Sequence, residues 1–214
     1  DQKPLCRSAL TRGTRTTPPT RRAILGKNRL EAFSDGVLAI IITIMVLGLQ
    51  TPQGADLLAL KRLLPSLLSY VLSFIYIGIY WNNHHHMLQA AKRVSGRVLW
   101  ANLALLFWLS LLPFATTWMG QNHAAVLPSA LYGCVLLMAA LFYAILQRSI
   151  IAADGADSLL GLAIGADWKG KASPVFYLVG IGLSFYSTTL AQSVYAAVAL
   201  LWLVPDRRIE SKLQ

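Results

Sequence analysis

Asp35 is a carboxylate set in an apolar run. From Arg29 to Leu49 the chain reads Arg-Leu-Glu-Ala-Phe-Ser-Asp-Gly-Val-Leu-Ala-Ile-Ile-Ile-Thr-Ile-Met-Val-Leu-Gly-Leu, which places an acid and two hydroxyls, Asp35, Ser34 and Thr43, in a segment long enough to cross a bilayer. A carboxylate in hydrocarbon costs on the order of a few kcal/mol unless it meets water or a partner. Asp35 therefore predicts a helix inside a bundle, with a donor waiting on a neighbour. The second apolar segment ends Tyr80-Trp81-Asn82-Asn83-His84-His85-His86. An imidazole donating to Asp35 would satisfy it, and Arg29 or Ser34 could complete the network. Asn102, near the start of the third segment, is a third candidate member. Histidines resting at a wet interface, and an asparagine making an ordinary interhelical bond, are the plainer alternatives. Three successive histidines on a helix fan over about 200° and cannot converge on one metal ion, so no metal site is expected.

Catalytic chemistry is not in view. Asp154, Asp157 and Asp167 lie with Lys169 and Lys171 in a Gly/Ala-rich stretch that reads as a solvated loop. The sequence holds no evident nucleophile and base pair, glycine-rich phosphate loop or cysteine cluster, so neither an enzyme nor a resident cofactor is expected. Cys6 sits in a basic tail and Cys134 in an apolar run, a poor pair for a disulfide.

The elements that must position these residues follow from composition. Of 214 residues, 56% are hydrophobic and 13% charged, and the mean hydropathy is +0.54, the profile of a membrane protein. The net charge of +10 would suit nucleic acid in a soluble chain. Here the bases are confined to the termini and alternate loops, where they read as topology signals, and no nucleic-acid partner is expected. Six apolar segments follow one another at about 30–50, 63–86, 97–119, 126–148, 173–189 and 191–205. The last two are short, with Gln192 and Ser193 at the predicted hairpin between them. Of the nineteen Lys and Arg residues, only Lys61 and Arg62 fall on the side opposite the rest when loops are assigned alternately. That asymmetry predicts an even number of spans with both termini in the cytoplasm. Residues 1–28 are expected to form a disordered basic cytoplasmic tail, residues 29–205 a six-helix transmembrane domain, and residues 206–214 a cytoplasmic C-terminal tail. Lipid is the surrounding partner.

On the first helix Ile40, Thr43, Ile44 and Leu47 are spaced by threes and fours and share one face, with Phe33 on it earlier. Asp35 lies about 140° from Ile40 at ~100° per residue, so acid and stripe face different neighbours. By itself such a stripe serves lipid contact or helix packing.

The Arg29, Phe33, Ser34 and Asp35 positions resemble the R-x-x-x-F-S-D signature that opens the first membrane helix of the transmembrane-protein-175 family of potassium channels. Trp81, His84 and His85 resemble the family's Trp-x-x-His-His element, with His86 additional, and Asn102 and Pro113-Phe114 have counterparts on its third helix. The resemblance implies that the first helix lines a pore and that Ile40 is the central apolar constriction. It further implies that Thr43 is the neighbouring hydroxyl position, where potassium passes transiently, and that Ile44 and Leu47 extend the apolar neck. Arg29, Phe33, Ser34, Asp35, Trp81, His84, His85 and Asn102 would tie that helix to its neighbours. Single-repeat prokaryotic members assemble as tetramers; no second Phe-Ser-Asp occurs here, the nearest echo being Ser184-Phe185-Tyr186-Ser187.

The expectation is an all-α membrane protein of six transmembrane helices in a single repeat, with the pore formed by helix 1 in a homotetramer of the plasma membrane. It would be a potassium-selective channel whose only small partner is the permeant ion. Four inward isoleucines make a narrow neck in which water is poorly held, so gating and size selection can share one place. No Thr-Val-Gly-Tyr-Gly loop is present, which excludes a carbonyl-cage filter. The alternative is a proton- or ion-coupled transporter using Asp35 and the histidines, although such folds usually show paired repeats and broken helices.

Overall fold

The computed structural model describes residues 21–164 and 167–203. Among them are helices α1 (Arg21–Leu47), α2 (Leu57–Ala90), α3 (Gly96–Ser110), α4 (Leu112–Gln121), α5 (Val126–Asp154), α6 (Leu159–Ile164), α7 (Trp168–Ser184) and α8 (Thr188–Leu203), and no strand. Each of the six apolar segments is helical over most of its described residues. Four units are long and apolar enough to cross a membrane: α1 from Gly26, α2, α3 with α4, and α5. Helices α7 and α8, with 17 and 16 residues, reach only about 25 Å at 1.5 Å per residue, short of the ~30 Å hydrocarbon core.

Local chemistry sets the boundaries. Helix α1 begins at Arg21, inside the stretch read from sequence as tail, while residues 1–20 and 206–214 lie outside the described residues. Asp56 caps α2, accepting from Ala59 N at 2.9 Å, and the 34-residue helix runs about 50 Å, beyond the 63–86 expected. The third segment breaks at Leu111 because Pro113 has no N–H to continue the ladder. The turn between the last two helices falls at Phe185–Ser187, not at Gln192 and Ser193, which lie within α8. Ser187 Oγ accepts from Leu190 N at 3.4 Å there, a capping hydroxyl in the echo sequence itself.

Helix α1 packs against α2, α3 and α4; α5 lies between α3 and α7; α8 closes on α7 and α2. The interior polar groups bond one another, as lipid requires. Thr116 Oγ1 donates to Ser73 Oγ at 2.7 Å, Ser73 and Tyr132 hydroxyls pair at 2.9 Å, and Tyr76 donates to the Tyr195 carbonyl at 2.6 Å. Asp154 is a correction to the solvated-loop reading. It is buried at the end of α5, where its carboxylate accepts from Lys92 N at 3.1 Å and Arg93 N at 2.9 Å and so pins the loop that feeds α3.

The α2 and α4 backbones touch at Gly120, where a Cβ would stand 2.8 Å from Ser66 Cα. Gly120→Ala should therefore force the two helices apart and cost about 1–3 kcal/mol. Gly78→Ala, which meets nothing within 4 Å, should be neutral or stabilising. Thermal unfolding in detergent distinguishes them, and equal midpoints for the two variants would refute the close approach.

Candidate functional site

Helix α1 presents two chemically different faces. Leu30, Ser34, Leu38, Ile41 and Met45, spaced by fours and a three, are buried against the bundle. On the other side Ile40 is 58% and Leu47 82% exposed, with Ile44, Phe33 and Thr43 also exposed. The structure thus brings Ile40, Thr43, Ile44 and Leu47 onto one uncovered stripe. Thr43 Oγ1 donates to the Ile40 carbonyl at 2.8 Å, which uses its proton and leaves its oxygen lone pairs outward. Ile40, Ile44 and Leu47 also border an open groove of about 590 Å³ whose far wall is Pro113, Phe114 and Thr117 of α4. At its end Gly48 lets the chain reach Thr117, whose hydroxyl occupies the space a Cβ would need.

The polar residues gather where α1 begins, α2 ends and α3 begins. Asn102 Nδ2 donates to Ser34 Oγ at 3.0 Å, so its Oδ1 is the acceptor for His84 Nε2 at 2.7 Å. Ser34 passes its own proton to the Leu30 carbonyl at 2.9 Å. Every donor in this chain has one acceptor, which fixes His84 with hydrogen on Nε2 and sets the Asn102 amide. Ser34, His84 and Asn102 are buried, at 0%, 2% and 1% exposure. Three helices are joined by one directional set of bonds.

The acid is met differently from the sequence expectation. Asp35 Oδ1 accepts from the Trp81 indole at 3.0 Å, not from a histidine. Trp81 and His85 sit one turn apart and stack, with ring centroids 6.1 Å apart and planes 23° off parallel. His85 Nδ1 instead faces Glu31 Oε1 at 3.1 Å. His86 Nδ1 is buried with no hydrogen-bond partner. The three imidazoles thus have three different surroundings, and among the described residues no group of three His, Cys, Asp or Glu side chains could hold a metal. Arg29 and Phe33 are exposed, and no hydrogen bond joins either to the network. Glu31 was missed by sequence reasoning; the available signal was its place one turn before Asp35, at the depth of the histidines.

Asn102→Ala should lower stability by about 1–3 kcal/mol, because it strands the buried His84 donor. Ser34→Ala should cost less, since Asn102 keeps its bond to His84. A detergent unfolding series in which both variants unfold alike would contradict the central place of Asn102, which donates to Ser34 and accepts from His84.

Comparison with known proteins places this geometry in context. The family described as endosomal/lysosomal potassium channel TMEM175 matches residues 29–113. A potassium channel of Chryseobacterium sp. (strain P1-3) is 54% identical over 88% of this chain and 98% of its own length. A potassium channel of Streptomyces collinus is 29% identical over 80% of this chain and 89% of its own. The crystal structure of a lysosomal potassium-selective channel TMEM175 homolog from Chamaesiphon minutus superposes with a TM-score of 0.73 at 27% identity, covering 84% of this chain and 97% of that one.

Proposed function

The chain belongs to the TMEM175 family, and on that premise we propose that it is a potassium-selective channel in which α1 of four copies lines the ion path. The observation that carries the proposal is the exposed stripe of α1. Lipid contact alone would also leave Ile40, Ile44 and Leu47 uncovered; what sets this stripe apart is the Thr43 hydroxyl within it and the open groove against Phe114 beside it. Four such stripes around an axis would form an apolar neck with Ile40 at its narrowest, and the groove against Phe114 offers a seat for the neighbouring copy.

Ion chemistry follows from the same face. Water leaves an isoleucine ring readily, so a small inward movement closes the path and a small outward one opens it. Thr43, its proton already held by the Ile40 carbonyl, offers oxygen lone pairs that can replace part of a passing potassium ion's hydration. Selectivity then arises from ring size and hydroxyl contacts. Ser34, Asp35, Trp81, His84, His85 and Asn102, now with Glu31, hold α1 at its angle and so set the width of the neck. Arg29 and Phe33 stand at the mouth of the path on the exposed side. The excess of bases at the network end supports cytoplasmic termini, with α7 and α8 read as a short fifth and sixth span of the plasma membrane.

Liposomes containing the purified protein should take up potassium in preference to sodium, and Ile40→Asn should bring the potassium-to-sodium ratio toward one without abolishing flux. Flux that saturates at low turnover and needs a coupled ion would identify a transporter. A ratio unchanged in Ile40→Asn would remove the neck from selectivity.

A further inference from the structure

Away from α1, the helices α2, α5, α7 and α8 line a half-open cavity of about 50 Å³, space for roughly three to five waters. Five aromatic residues line it, Tyr76, Tyr80, Tyr143, Tyr177 and Trp202, together with Asp167. Tyr76 and Tyr177 stand 6.3 Å apart between centroids and Tyr80 and Tyr143 6.0 Å apart. The walls are fixed. The Trp202 indole donates to Ser173 Oγ at 2.8 Å, and Tyr76 is held by the Tyr195 carbonyl at 2.6 Å.

The acid is placed at some cost. Asp167 has a φ of 35°, in the left-handed region that residues with a Cβ rarely adopt. Its Oδ1 accepts from Gly170 N at 3.2 Å, and the missing side chain at Gly170 makes room for the carboxylate, since a Cβ there would lie 2.6 Å from Oδ2. No lysine or arginine is among the cavity's lining residues, whose remaining polar members include the amides of Asn83 and Gln147. Aromatic walls and a carboxylate disfavour an anion, while a purely apolar occupant would bring no positive charge to a carboxylate that is capped by the neutral Gly170 N–H. A soft, weakly hydrated cation satisfies both.

We propose that the aromatic cavity between α2, α5, α7 and α8 is a binding site for a small organic ammonium ion, held by the tyrosine and tryptophan rings and by Asp167. The site is separate from the ion path, because none of its lining residues belongs to α1. It borders the network through α2, where Tyr80 and Asn83 of the cavity alternate with Trp81 and His84 of the network.

The test is isothermal titration of the full chain in detergent with tetramethylammonium chloride at constant potassium, with neopentanol as a neutral probe of similar shape. Saturable binding at one site per chain is expected for the ammonium and not for the alcohol. Affinity should fall roughly tenfold in Asp167→Asn and in Tyr143→Leu, and stay within about threefold of wild type in Tyr143→Phe and Ile40→Asn. Asparagine still caps a helix and tolerates left-handed backbone, so Asp167→Asn removes the charge and keeps the fold. Absence of saturable binding, equal binding of neopentanol, unchanged affinity in both cavity variants, or loss in Ile40→Asn would each overturn the assignment. The last would place the ammonium in the ion path, whatever the fate of the potassium-channel reading.

Discussion

The bond from Asn102 Nδ2 to Ser34 Oγ determines which way α1 faces. The Ser34 proton is held by the Leu30 carbonyl of its own helix at any rotation, but the buried Asn102 amide N–H needs an acceptor, and Ser34 Oγ supplies one at 3.0 Å only at a single rotation of α1. Turning α1 by one residue, ~100°, would carry Ser34 out of reach and drive the Ile40 stripe toward the core. His84 then strengthens the constraint, since its Nε2 proton occupies the one Asn102 oxygen and leaves the amide nitrogen for Ser34. The exposed stripe is thus the consequence of a polar bond on the other side of the helix.

The remaining architecture keeps that helix in place without covering its outer face. Pro113 separates α3 from α4, and Phe114 and Thr117 of α4 stand beside α1 as the far wall of a groove. At the opposite end, Asp154 gathers the backbone of Lys92 and Arg93, which fixes where α2 stops and α3 starts, and therefore where His84 and Asn102 meet. A carboxylate on α5 thus supports a contact among three other helices. Trp81 adds a second link, from α2 to Asp35, on the flank of α1 between its buried and exposed sides.

Much of this was legible in the chain. Hydropathy located the four helical units of membrane length and the shorter α7 and α8, and the three-and-four spacing from Ile40 to Leu47 identified the stripe. The residue types of the network were also readable, because a serine and an acid in an apolar helix demand donors and the ends of α2 and α3 hold them. Pairing was not. Trp81, His84 and His85 lie within four residues, and which of them meets Asp35, Glu31 or Asn102 depends on helix rotation to within a fraction of a turn. The α7–α8 turn was misplaced because Gln192 and Ser193 look like a polar junction, whereas the capping hydroxyl is Ser187. Asp154 and Asp167 sat in a stretch whose composition reads as loop, and only tertiary packing shows one buried and the other at a cavity wall. The TMEM175 resemblance, carried by four residues on one helix, extends through relatives that match most of the chain.

The most direct measurement is thiol accessibility during potassium flux, with single cysteines along α1 in a background lacking Cys6 and Cys134. A charged, membrane-impermeant methanethiosulfonate should reduce flux when the cysteine replaces Ile40, Ile44 or Leu47. It should reduce flux less at Ala39 and Val46, which are exposed but lie about 100–120° from Ile40, beyond the Thr43 edge of the stripe. Equal modification at all five positions, or none at Ile40, Ile44 and Leu47, would contradict an ion path along this stripe.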